Sequence, residues 1–327
     1  MDALGGSVTL GFNTDCPDPW VDCPENSWST GTNPVVDSIY LRLLALDPRV
    51  EHHNANDAVS GSTMADLDDQ ARSAVRHHAE LVTIAMGTND ACGGRTGTMT
   101  ETSAFRQEFT QAMTTLTKGL PESRIHVVSI PDLYQRWETF HTVQKAVKAW
   151  RSLPFCPTLF THPTSNAPAD VERRAAVRDR VLAYNAILSD VCASYRQCTT
   201  DEGAAFRAPV RLTEFSTHDY WHPNIAGRPR WRDLSGTRSA TDGLKPPCAP
   251  AIVAAELDRQ PRAMIRNIDA NRTATGSSRS ACGMMIGRNA DLDPPDRVEV
   301  VPPPTCRASD YHPVHGRQAL AGATRRS

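Results

Sequence analysis

Five residues of this sequence have the types needed to open an acyl bond together: Ser7, Gly61, Asn89, Asp219 and His222. A serine hydroxyl is a weak nucleophile until a base takes its proton and donors hold the oxyanion that forms. Ser7 follows the short apolar lead-in Met1-Asp-Ala-Leu-Gly-Gly6, so it reads as a residue presented by a turn after a strand. His222, in Asp219-Tyr-Trp-His222-Pro223, is the expected base. An imidazole with an unperturbed pKa of about 6.5 both accepts and returns a proton near neutrality. Asp219 is spaced to orient that ring and stabilise the imidazolium. The competing reading makes Asp219 the cap of a helix beginning at Pro223. The Ser7 and Gly61 N–H groups and the Asn89 amide, from Gly87-Thr-Asn-Asp90, are the expected oxyanion donors. Glycine at 61 permits close backbone approach.

The other polar groups fit less well. His218 lies before the aspartate, and His312 has Asp310 at a different spacing, so His312 ranks second as a base. His52 and His53 read as exposed loop residues, His126 as a structural residue inside a strand, and Asp90 as a turn-capping carboxylate. No residue set has zinc-ligand spacing, so the chemistry is expected to need no metal and no cofactor. No glycine-rich phosphate loop follows the first strand, which disfavours a nucleotide-binding α/β protein.

Taken in order, the blocks around Ser7, Gly61, Asn89 and His222 resemble the SGNH hydrolases, also called GDSL esterases and lipases, over roughly residues 3 to 227. Asp15-Cys-Pro and Asn26-Ser-Trp-Ser-Thr-Gly31 are similar to stretches of the secreted actinobacterial branch. The resemblance implies a flavodoxin-like three-layer α/β/α fold and ester hydrolysis through an acyl-enzyme on Ser7. It also implies a Cys92–Cys156 disulfide and a first strand that begins several residues earlier. One departure stands out. The family's nucleophile block reads G-D-S, and here it reads Gly5-Gly6-Ser7. The missing carboxylate predicts weakened chemistry, and it keeps open a catalytically inactive binding descendant.

The chain has 327 residues and a net charge of −2, which gives no argument for nucleic acid or an acidic membrane surface. No apolar stretch reaches the roughly 18 residues a membrane span needs. The expected partner is a small-molecule, lipid or carbohydrate ester, met by a monomer. Nine cysteines are many for a reducing compartment. Cys16 and Cys23 bracket a loop and Cys192 and Cys198 a helix end, both spaced for disulfides rather than metal. A secreted protein is therefore expected, and a cytosolic one with free thiols is the alternative. No signal peptide precedes Met1, so the start reads as truncated or as a mature form given a new Met.

The positioning elements follow from pattern. Residues 3–6 read as a strand stub, 14–32 as a loop, and Asn33-Pro34 as the start of a helix running to residue 46. A short strand is expected within 49–56, and Met64, Leu67, Ala71 and Val75 mark a helical face. Residues 81–86 and 124–130 read as buried parallel strands, with a helix between them facing inward through Phe105, Phe109, Ala112, Met113 and Leu116. Residues 135–152 read as helical and 153–169 as a loop. Val171 to Cys192 forms a long helix whose run Glu172-Arg-Arg174 is a solvated face. Strand and helix alternate as in a parallel sheet covered by helices. Arg228-Pro-Arg-Trp-Arg232 is expected to interrupt the final helix. A hydrolase domain over 1–240 then gives way to a Pro- and Arg-rich tail, 241–327, read as disordered or poorly packed and holding Cys248, Cys282 and Cys306.

Overall fold

The computed structural model describes residues 1–93, 98–153 and 155–234. The tail expected beyond 240, with His312 and the last three cysteines, lies outside them.

Five parallel strands form the sheet: β1 (Asp2–Gly5), β2 (Ala55–Asn56), β3 (Leu81–Ala85), β4 (Arg124–Val127) and β5 (Cys198–Thr200), in the order β2-β1-β3-β4-β5. This is the flavodoxin-like order, whose direction reverses between β1 and β3. Asp2–Gly5 pairs in register with Val82–Ala85 there. A crevice opens beyond the carboxyl ends of the strands at such a reversal, and both β1 and β3 end on glycine-containing turns that reach it.

Helices cover both faces. Leu4, Val82, Ile84, Ile125 and Val127 pack against α3 (Leu67–Arg76), α5 (Thr102–Gly119) and α9 (Pro168–Ala193). The five inward positions expected on α5 are all fully buried, as are Val177, Val181 and Tyr184 of α9. On the opposite face Leu81 and Val128 meet Trp28 and the Ile39 and Leu43 side chains of α2 (Ile39–Leu46). The shorter helices are α1 (Ser7–Leu10), α4 (Thr88–Cys92), α6 (Leu133–Phe140), α7 (Gln144–Ser152), α8 (Pro157–Phe160), α10 (Ala204–Arg207) and α11 (Arg228–Leu234). Disulfides join Cys16 to Cys23, Cys92 to Cys156, and Cys192 to Cys198. Among the described residues no helix is long and apolar enough to cross a membrane.

Several elements differ from expectation for local reasons. The helix expected from Pro34 begins only at Ile39. Asn33 Oδ1 does accept the Val35 N–H, but the turn it starts is broken by Asp37 at φ +48°, and the Ser38 hydroxyl caps α2 by accepting the Leu41 N–H. The stretch 135–152 is two helices separated at 141–143, and α8 lies inside the expected loop. Arg174 is not solvated. Its guanidinium lies 4.1 Å from the Trp137 ring centre and donates to the Ser165 carbonyl. The final helix does form, because Pro229 falls in its first turn, where no N–H is needed. Its first residue, Arg228, is fully buried, and burial lowers its pKa to about 9 against the pull of Asp15. Arg228 donates to the Val8 carbonyl and the Thr14 hydroxyl, tying α11 to α1.

Candidate active site

Ser7 is the first residue of α1, immediately beyond β1. The turn before it is tightly held. The Gln70 side chain accepts the Gly5 N–H at 2.8 Å and donates to the Gly5 carbonyl at 3.1 Å, and that carbonyl also accepts the Val59 N–H at 3.0 Å. A β-carbon on Gly5 would meet the Thr9 hydroxyl at 2.4 Å and the Ala85 carbonyl at 2.6 Å, so only glycine fits.

The Ser7 hydroxyl donates to His222 Nε2 at 2.9 Å, and His222 Nδ1 lies 2.7 Å from Asp219 Oδ2. Asp219 is fully buried and His222 nearly so. Burial opposes ionisation of Asp219, but hydrogen bonds and charge from His222, with the Asn13 amide, hold its pKa below the ordinary carboxylate value. An ionised Asp219 accepts, so the His222 proton sits on Nδ1 and leaves Nε2 free to accept from Ser7. Asp219 Oδ1 also accepts the N–H groups of Trp221 and His222. The helix-capping reading of Asp219 is not met: no helix begins at Pro223, Asn224 caps the short turn Ile225–Gly227, and Asp219 Oδ1 instead closes a turn onto residues 221 and 222. The carbonyls of this segment are held as well. Trp150 Nε1 donates to the Asp219 carbonyl and Arg136 to that of Trp221. Arg136 is buried between the Phe215 and Trp221 rings, and burial lowers its pKa to about 10, against the pull of Asp219.

Gly61 takes φ +85° in a turn closed by the Ser62 N–H on the Val59 carbonyl at 3.0 Å. That is the third position of a type II turn, which selects glycine. Asn89, in the first turn of α4, donates one amide hydrogen to the Ser62 carbonyl at 2.8 Å, leaving the other. The same nitrogen lies 3.3 Å from where a β-carbon on Gly6 would stand, which puts Asn89 beside the Ser7 turn. Asp90 is buried and accepts the Met64 N–H and the Thr100 hydroxyl, as a positioning carboxylate does. Burial raises its pKa to about 6 despite these bonds.

Three positioning residues escape sequence reading. Gln70 is one. Asn13 is another, buried at φ +54°, donating to Asp219 Oδ2 at 2.5 Å and accepting the Trp20 N–H at 2.6 Å. Arg136 is the third. The αL tendency of asparagine was the one local signal available for Asn13. Around His222, Phe12 lies 4.8 Å away ring to ring, Phe155 packs edge-on at 5.9 Å, and a half-exposed Trp20 stacks over Phe155 at 6.2 Å. His218 tilts against Trp20, His52 and His53 are exposed, and His126 is buried in β4 with its ring against the Thr199 hydroxyl.

Such an arrangement can transfer a proton from a hydroxyl to an imidazole whose positive charge a buried carboxylate then offsets. Among solved structures, one described as a GDSL-like lipase from Parabacteroides merdae is 13% identical. It covers 74% of this chain and 94% of its own, with a TM-score of 0.45. A family two carbohydrate esterase from Clostridium thermocellum, in complex with cellohexaose, is 13% identical over 74% of this chain and 64% of its own, with a TM-score of 0.45. An acetyl xylan esterase is 12% identical over 72% and 98%, with a TM-score of 0.35. No curated protein matches the sequence. The model of the GDSL-like lipase/acylhydrolase family matches residues 3–228, from β1 to the start of α11, and the chain belongs to that family of hydrolases.

Proposed function

We propose that the protein is a secreted serine carboxylester hydrolase that works through an acyl-enzyme on Ser7. The observation that carries this is the buried hydrogen-bonded line Ser7–His222–Asp219. Ser7 Oγ attacks the ester carbonyl carbon as its proton passes to His222 Nε2. Asp219 stabilises the resulting imidazolium, and the Ser7 N–H, Gly61 N–H and free Asn89 amide hydrogen hold the oxyanion. The imidazolium returns the proton to the leaving alkoxide. A water molecule, deprotonated by the same imidazole, then releases the acid and restores Ser7. No step calls on a metal or a cofactor. The apolar rim of Trp20, Phe155 and Phe12 beside His222 supports esters with an apolar or ring-shaped group on one side. The three disulfides support an oxidising compartment. We also propose that residues 1–240 form the catalytic domain.

Hydrolysis of p-nitrophenyl acetate by the purified protein tests this reading. Ser7→Ala is expected to abolish turnover with an unchanged circular dichroism spectrum, and His222→Ala to cost far more than His312→Ala. Unchanged turnover in Ser7→Ala, or greater damage from His312→Ala, would place the nucleophile or base elsewhere. A folded wild-type protein without turnover on short esters would favour the inactive descendant that Gly6 raises.

A further inference from the structure

A second cluster of ionisable groups sits at the other end of β1 from Ser7. Asp2, the first residue of that strand, is fully buried. Asp57 follows β2 directly and His77 follows α3. The parallel pairing of β1 with β2 brings the two carboxylates together, and the end of α3 lays the imidazole over both. His77 Nδ1 is 2.8 Å from Asp2 Oδ2 and 3.2 Å from Asp57 Oδ2, and one donor atom from each residue falls within 4.8 Å of the others. One lone-pair-bearing atom remains unused: Asp2 Oδ1 is buried with no hydrogen-bond partner, while Asp57 Oδ2 has the 3.2 Å contact with His77 Nδ1. Among the described residues, His77 is the one ion-pairing group within 4 Å of either carboxylate.

Two adjoining carboxylates, one of them wholly out of water, are costly as anions unless positive charge is supplied. A proton on His77 supplies one charge and leaves Asp2 Oδ1 unsatisfied. A divalent ion supplies two and takes lone pairs from several oxygens. We propose that Asp2, Asp57 and His77 form a binding site for a divalent transition cation of the zinc type.

The geometry and the ligand types both point that way. Zinc bonds of about 2.0–2.2 Å to imidazole and carboxylate, arranged as a tetrahedron, put ligand atoms about 3.3 Å apart. The two imidazole-to-carboxylate separations here, 2.8 and 3.2 Å, need little adjustment. One imidazole among oxygens selects zinc-like ions over magnesium and calcium, which prefer all-oxygen shells. His77 is 44% exposed at its side chain and Asp57 21%, so ion and water can reach a fourth position. The other close group, Cys16, Cys23 and Glu25, is excluded because its sulfurs are joined to each other. Asp2 and Ser7 are separated by about 16 Å of extended chain at roughly 3.3 Å per residue, so the ion would not touch the nucleophile. Its role would be to staple β1, the end of β2 and α3. Binding requires neutral His77 and ionised carboxylates, so it weakens as pH falls.

The test uses the full chain with Cys248, Cys282 and Cys306 changed to serine, so that no sulfur there can compete for the ion. After EDTA treatment, zinc chloride is titrated at pH 7.5 by calorimetry and thermal unfolding is followed with and without zinc. We expect one site per chain and a zinc-dependent rise in Tm. His77→Ala and Asp57→Asn should each weaken affinity at least about tenfold. The double variant His52→Ala/His53→Ala, which removes exposed imidazoles, should bind like the parent. Metal-free parent and His77→Ala should hydrolyse ester equally, and Ser7→Ala should bind zinc normally, so this site and the serine reading fail independently. No saturable zinc binding in the parent overturns the proposal. So does affinity that survives His77→Ala and Asp57→Asn.

Discussion

Asn13 offers the most direct access to how Asp219 is held. Its amide is one of two side-chain donors on Asp219 Oδ2, the other being His222. A hydrogen bond to a charged acceptor contributes about 1.5–3 kcal/mol, and every 1.36 kcal/mol is tenfold in rate. The choice of replacement matters because Asn13 sits at φ +54°. Alanine in that region costs about 1–2 kcal/mol of backbone strain, which would confuse folding with catalysis. Asn13→Gly removes the amide without the strain. It should lower kcat/KM about 10–100-fold, with kcat carrying most of the loss, since the bond acts when the imidazolium forms. The Asn13 amide helps hold the Asp219 pKa down, so losing it raises that pKa. Asn13→Asp should be worse at neutral pH, because it sets a carboxylate against Asp219. Stopped assays on p-nitrophenyl acetate at pH 7.5 give kcat and KM. A glycine variant within about twofold of wild type in kcat/KM would refute the positioning role.

Two further outcomes follow from other sites. Gly6→Asp should raise kcat about 2–5-fold, the scale of removing one glycine's backbone freedom, because Gly6 lies at φ −110°, which any residue adopts. A fall in kcat/KM with the fold intact, measured beside Gly6→Ala, would show that a side chain there displaces Asn89. Asp90 has a folded-state pKa raised to about 6 by burial, so the folded state binds its proton more tightly than the unfolded chain does. Its contribution to stability is thus most favourable below about pH 4 and is lost as pH rises through 6. Asp90→Asn should remove that fall, on the order of 1–3 kcal/mol between urea titrations at pH 4.5 and 7.5, and equal slopes in both proteins would contradict it.

The sequence is legible where one element decides the outcome. The 3.6-residue spacing of Phe105, Phe109, Ala112, Met113 and Leu116 needs only a helix and one covered face, and all five are buried. The order of the Ser7, Gly61, Asn89 and His222 blocks is likewise a property of the chain. Where tertiary partners decide, the text is silent. Cys198-Thr-Thr200 is too short and too polar to announce a strand, and it becomes β5 because the edge of β4 offers it partners. Asn33-Pro34 carries a helix-start signature and Asn33 accepts the Val35 N–H, yet Asp37 at φ +48° ends that turn and Ser38 becomes the cap of α2. Arg174 belongs to a charge run that reads as solvated until Trp137, some forty residues away along the chain, provides an aromatic face.

The missing acid at position 6 shows how the two kinds of information combine. From sequence, Gly5-Gly6-Ser7 is a turn with one constraint removed and more conformations to lose. In the fold, the preceding peptide is clamped on both of its polar groups by the single side chain of Gln70, which also donates to the Ser62 hydroxyl beside the Asn89 contact. Val59 fixes the same carbonyl from the turn that contains Gly61. The backbone before the nucleophile is therefore set from the turn after β2 and from α3 rather than from position 6. Gln70 couples the Ser7 turn to the Gly61 turn and, through Ser62, to Asn89. These are the three places from which the proposed oxyanion donors come. A shift of the Ser7 turn against the Gly61 turn would have to break the buried hydrogen bonds of Gln70. That coupling is why the gain expected from restoring an aspartate at position 6 is a few-fold and not a rescue from inactivity.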